Sequence, residues 1–111
     1  MMKVMISQPM NGRKNIEIKQ ERQEIIEKFK KMHIEVVDTL FDYEITDENI
    51  NAGIYYLADS LKELSKVDAL YCTDGWEKSR GCRIENEVAK EYGIKVLYSD
   101  FFENENKILT R

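Results

Sequence analysis

The sequence predicts a small three-layer α/β domain of the Rossmann or flavodoxin-like kind, with a four-stranded parallel sheet in the order 2-1-3-4. Three observations predict it. Short runs rich in Val, Ile, Leu and Tyr alternate with stretches whose apolar residues recur at helical spacing. Strands separated by helices run parallel, through right-handed crossovers. The chain of 111 residues, 42% apolar with one proline, is the size of one domain and can bury a core without disulfides or a structural metal.

The first strand is Lys3-Val4-Met5-Ile6-Ser7, stopped by Gln8-Pro9. Met10 to Asn15 reads as a loop, with Asn11-Gly12 as its turn signal. A helix follows, with Ile18, Arg22, Ile25, Ile26 and Phe29 on one stripe and Lys30-Lys31 favouring its C-terminal end. Ile34 to Thr39 is the second strand, and Leu40 to Asn51 an acidic, irregular loop. Ile54, Leu57, Ala58, Leu61 and Leu64 mark a second amphipathic helix. Val67 to Thr73 is the third strand, followed by a turn at Asp74-Gly75. The third helix runs from about Gly81 to Tyr92 and ends at Gly93, a natural C′ residue. Lys95 to Ser99 is the fourth strand. The α/β domain is therefore expected over residues 1–99. Residues 100–111 form a charged tail, whose Phe101, Phe102, Ile108 and Leu109 suggest an oligomer interface.

Composition excludes several function classes. Seventeen basic against twenty-one acidic residues give a net charge of −4, which argues against nonspecific binding to nucleic acid or to an anionic membrane. No apolar run approaches the roughly 18–20 residues that span a bilayer. The N-terminal apolar stretch is too short for a signal peptide, so a cytoplasmic location is expected. Cys72 and Cys82 have no zinc spacing, and His33 is the only histidine. Neither a metal nor an organic cofactor is expected.

The predicted strand order sets the first and third strands side by side, and their C-terminal ends flank the crevice where such sheets bind ligands. Two loops meet there. One is Ser7-Gln8-Pro9-Met10-Asn11-Gly12-Arg13; the other runs from Thr73 to Gly81 through Asp74, Gly75, Trp76, Ser79 and Arg80. Neither matches a P-loop or a GxGxxG fingerprint. Glycine lets backbone approach a ligand and arginine supplies a planar fork, which suits a phosphate or carboxylate; ordinary turns with surface arginines have the same composition. Trp76 is either a packing lid or a platform for a base. Ser79 caps the third helix or donates to a phosphate at its N-terminus. Glu85 lies on the ridge Gly81, Glu85, Ala89, and is either a solvated glutamate or a carboxylate turned into the crevice.

The stretch Gln-Pro-Met-Asn-Gly-Arg, then Val-Asp-Ala-Leu-Tyr, then Gly-Trp-Glu-Lys-Ser-Arg-Gly-Cys-Arg-Ile-Glu resembles the small, often phage-encoded nucleoside 2-deoxyribosyltransferase-like family, over about residues 3–98. More distantly it is similar to the 2′-deoxynucleoside 5′-phosphate N-hydrolases. The resemblance implies a Rossmann-like sheet and cleavage of an N-glycosidic bond by a glutamate nucleophile. It maps that glutamate onto Glu85, within Ser79, Gly81, Glu85, Ala89. Ser79 takes a position that contacts a 5′-phosphate, and Gly12 and Arg13 fall near a first phosphate loop. Two departures stand out. A tyrosine that orients the nucleophile is replaced by Met5. An aspartate that protonates the leaving base falls on Ser60, with Asp59 one residue away.

Two readings follow. In the first, a nucleoside or nucleotide lies across the strand ends, contacted by Gln8, Pro9, Met10, Gly12, Arg13, Trp76, Ser79, Arg80 and Gly81. Glu85 attacks C1′, and Asp59 or Asp74 assists departure of the base. In the second, the pocket persists without chemistry, as a nucleotide-binding module. The enzymes that the chain resembles are oligomers, which agrees with a homo-oligomer here.

Overall fold

The computed structural model describes residues 2–40 and 43–103. Its elements follow in the expected order: β1 (Lys3–Ser7), α1 (Asn15–Lys31), β2 (Glu35–Val37), α2 (Ala52–Leu64), β3 (Ala69–Cys72), a 3-10 turn (Trp76–Lys78), α3 (Arg80–Glu91) and β4 (Lys95–Leu97). The strands form one parallel sheet in the order β2-β1-β3-β4. The expected architecture and strand order are therefore observed.

Alternation along the two central strands builds a core on each face. Val4 and Ile6 of β1, with Ala69 and Tyr71 of β3, pack on Ile25 and Phe29 of α1. Met5, Leu70 and Cys72 face the other way, onto Leu64 and Ala89. Strands β2 to β4 are shorter than the apolar runs suggest. At the start of β3 the Asp68 carboxylate takes the Lys3 amide, at 2.8 Å, while single backbone bonds carry the pairing to Asp68 and Thr73.

Helices α1 and α3 end alike. Ile34 N–H donates to Phe29 O and Ile94 N–H to Ala89 O, each closing a Schellman turn. The left-handed residue is Gly93 after α3, at φ 74°, but His33 after α1, at φ 59°. The single histidine thus occupies a position where a side chain costs energy.

Two expectations change. Of the stripe expected on α2, only Leu64 is buried; Leu57 and Leu61 are half-buried, and Ile54 and Ala58 are exposed. The N-terminal half of α2 walls a cleft instead of covering the sheet. Phe101 and Phe102, placed in the tail by the sequence, pack on the α1-side core. Their rings lie 6.0 and 4.8 Å from Phe29, and Phe102 lies 5.3 Å from Tyr71. The apolar layer therefore continues past residue 99. Ile108 and Leu109 lie outside the described residues.

Candidate functional site

Beyond Ile6 the alternation of β1 sends Ser7 and Gln8 to opposite sides of the sheet. Ser7 meets α3. That helix buries Cys82, Glu85, Asn86 and Ala89, a stripe at i, i+3, i+4 and i+7 that places a glutamate at a core position. Ser7 Oγ donates to Glu85 Oε1 at 2.7 Å, and the two residues are 1% and 8% exposed. Burial pushes the Glu85 carboxyl above its ordinary range. Ser7, Ser60 on α2 and the Arg22 charge oppose that rise without cancelling it.

Glu85 opens onto a cleft of about 590 Å³ at the C-terminal ends of the strands. Ile6, Gln8, Thr39, Cys82 and Glu85, all buried, form its floor. Met10 and Asn11 come from the loop after β1. Asn51, Gly53, Ile54, Tyr56, Leu57 and Ser60 form the α2 wall, and Ser79, Arg80, Gly81 and Ile84 the α3 wall. Ser79 caps α3, its side chain accepting from Cys82 N–H. A Cβ at Gly81 would meet nothing within 4 Å, so backbone there is open to a ligand.

Of the residues expected at the site, the fold brings Gln8, Met10, Ser79, Arg80, Gly81 and Glu85 to this cleft. Pro9, Gly12, Arg13, Asp59, Asp74 and Trp76 do not line it. The Arg13 guanidinium is held at 3.0 Å by both Pro9 O and the Glu21 carboxylate. Gln8 reaches the cleft, but its amide group is engaged with α1: Nε2 donates to Ile18 O and Glu21, and Oε1 accepts from Arg22. The Trp76 ring packs, tilted, 5.7 Å from that of Tyr98 on the α3-side core, the packing alternative. Asp74 is exposed in the turn that Gly75, at φ 86°, completes.

Asp59 belongs to a different concavity, of about 390 Å³, lined by Tyr43, Glu44, Ile45, Thr46, Asp47, Ile50 and Tyr55. It accepts a hydrogen bond from the Tyr43 hydroxyl and pairs with Lys62 at 3.8 Å. The step of about 100° between consecutive helical residues separates it from Ser60. Met5, at the position where the resembling enzymes carry tyrosine, is buried in the α3-side core and reaches no ligand space.

Sequence reasoning placed Ser7 in the crevice loop without a partner, and missed Thr39, Asn51, Tyr56 and the role of Arg22. Arg22 is 4% exposed, donates to Gln8 and to Thr39 (2.8 Å), and burial lowers its pKa. The available signals were a serine closing an apolar strand and an arginine inside an apolar helical stripe. Among the described residues no group of His, Cys, Asp and Glu could hold a metal, and no helix is long and apolar enough to cross a membrane.

The chain belongs to the family described as Domain of unknown function (DUF4406), which matches residues 2–98. No curated protein matches. The fold is similar to that in the crystal structure of a conserved protein from Enterococcus faecalis V583. The TM-score is 0.65 and the identity 20%, over 88% of this chain and 62% of that one. The chain thus spans about 62% of the length of that neighbour, and the likeness is one of fold.

Proposed function

We propose that this chain is a cytoplasmic enzyme that cleaves or transfers the N-glycosidic bond of a nucleoside or nucleotide, with Glu85 as nucleophile and no cofactor. One observation carries this reading: a buried carboxylate, hydrogen-bonded by Ser7, on the floor of an open cleft at the ends of β1 and β3. The motif Ser79, Gly81, Glu85, Ala89 and its resemblance to the nucleoside 2-deoxyribosyltransferase-like family support it.

A Glu85 oxygen attacks C1′ and forms a glycosyl ester while the C1′–N bond breaks. The base leaves with the bonding electrons and takes a proton from water. Water then hydrolyses the ester, releasing the sugar and regenerating the carboxylate, or a second base displaces it in transfer. The α3 N-terminus, with Ser79, Arg80 and the open backbone at Gly81, suits a 5′-phosphate.

The position of Asp59 and Asp74 away from the cleft favours a second reading, a nucleotide-binding module without chemistry. A panel of nucleosides and deoxynucleotides, assayed for released base and for binding, separates the two. Release supports the enzyme; tight binding without release overturns it and supports the module.

A homo-oligomer is proposed as well. Ile54 at 64% exposure, Tyr55 at 48% and Ile84 at 37% provide apolar surface on α2 and α3 for a second copy. Light scattering is expected to exceed the 13.1 kDa of one chain, and a monomer at working concentration would refute this.

A further inference from the structure

We propose that Ser7 is a positioning residue for Glu85: its hydroxyl, fixed at the end of β1, holds one carboxylate oxygen at the back and turns the other toward the cleft. This rests on the reading of Glu85 as nucleophile.

Glu85 reaches the cleft from α3 through three rotatable side-chain bonds, so helix geometry alone does not orient its carboxylate. Ser7 is more constrained. It pairs with Cys72 in the β1–β3 register, and its carbonyl accepts from Thr73 N–H at 3.0 Å. At 1% exposure its hydroxyl is shut off from bulk water and needs a partner within the protein. Glu85 Oε1 is that partner, at 2.7 Å, a well-formed O–H···O bond.

Two hydroxyls act on this carboxylate, and Ser7 is the one that donates to it at 2.7 Å from the fixed end of β1. From α1, Arg22 supplies positive charge, while its guanidinium hydrogen bonds go to Gln8 and Thr39. From β3 and α3, Cys72 and Cys82 are thiols whose burial pushes their pKa values up, that of Cys72 to about 11. Both thiols stay neutral at physiological pH. From α2, Ser60 lines the cleft and favours the ionised carboxylate, in the same direction as Ser7. A hydrogen bond to a charged group is worth enough to change a rate about tenfold.

The test compares wild type with Ser7→Ala and Ser7→Thr. The Glu85 titration is read by NMR of glutamate labelled at the carboxyl carbon, without ligand. Base release is measured in parallel across pH. In Ser7→Ala the Glu85 midpoint should move upward, and kcat should fall about tenfold at neutral pH with KM little changed. The acidic limb of the rate profile should move with the midpoint, and Ser7→Thr should restore both. An unchanged midpoint in a folded Ser7→Ala protein overturns the proposal, as does an unchanged rate at pH values where Glu85 is ionised in both proteins. If Ser7→Ala does not fold, Ser7→Cys, nearly isosteric with a weak donor, decides: an elevated midpoint supports the proposal and a wild-type one overturns it. If wild type releases no base, the nucleophile reading fails, and the NMR titration still decides whether Ser7 governs Glu85.

Discussion

Asp59 and Ser60, consecutive on α2, serve different cavities: Ser60 lines the cleft of Glu85, and Asp59 lines the concavity around Tyr43. A one-residue offset in a motif therefore becomes a change of site. The Asp59 carboxylate helps to push the Tyr43 phenol up to about 12. Asp59→Asn is expected to leave base release unchanged and to bring that phenol down toward 10, the ordinary value. NMR titration of ring-labelled tyrosine reads the second effect, and a large loss of base release would return Asp59 to the chemistry.

Glu85→Gln should reduce base release by orders of magnitude, while Glu87→Gln, on the exposed side of α3, should be nearly silent. The same Glu85→Gln change should raise the melting temperature at neutral pH by several degrees. The sign follows from the raised carboxyl. Folding favours the protonated form, so this contribution to stability is full below the ordinary value of 4.5 and is lost as pH rises through the elevated one. The stability gain of the variant should therefore grow with pH across that window. Wild-type activity should fall as pH drops through the elevated Glu85 value. Calorimetry and rate profiles over the same pH range check both.

Arg80 and Arg13 should separate in binding experiments. Arg80 faces the cleft, whereas Arg13 is engaged with Glu21 and Pro9 O. Arg80→Ala is expected to weaken a deoxynucleoside monophosphate about tenfold or more while sparing the matching nucleoside. Arg13→Ala should leave both affinities close to wild type. Titration calorimetry measures the four affinities, and equal losses for both ligands in Arg80→Ala would leave no phosphate subsite at Arg80.

Phe102→Ala should destabilise the domain by about 1–3 kcal/mol, because the ring packs on Phe29 and Tyr71 and Lys28 lies over it. Urea unfolding measures this. An unaltered midpoint would mean that the fold is complete by residue 99.

The sheet was legible because its four strands are short apolar runs between amphipathic helices, and parallel connectivity leaves few arrangements. Glu85 was legible as a position, since its spacing from Gly81 and Ala89 sets it on one ridge of α3. Its partner was not: Ser7 lies 78 residues away, and only the β1–α3 packing joins them. Arg13 looked available for a ligand because its acceptor, Glu21, comes from the next helix, and loop composition says nothing of that return. Ile54 and Ala58 fit a core stripe by period, yet period does not reveal that α2 overhangs the sheet. Phe101 and Phe102 looked spare because the strand pattern ends at Ser99, while the surface of Phe29 and Tyr71 still needed covering.

The burial of Glu85 also bears on how this protein would respond to selection. A screen rewarding only heat resistance should accept neutral residues at position 85 early, since they relieve a desolvated charge in one step. A screen rewarding turnover should reject them all and accumulate compensating changes elsewhere. Parallel lineages evolved from this chain under the two regimes should diverge first at this residue, so the order in which substitutions arise would report on what the buried carboxylate does.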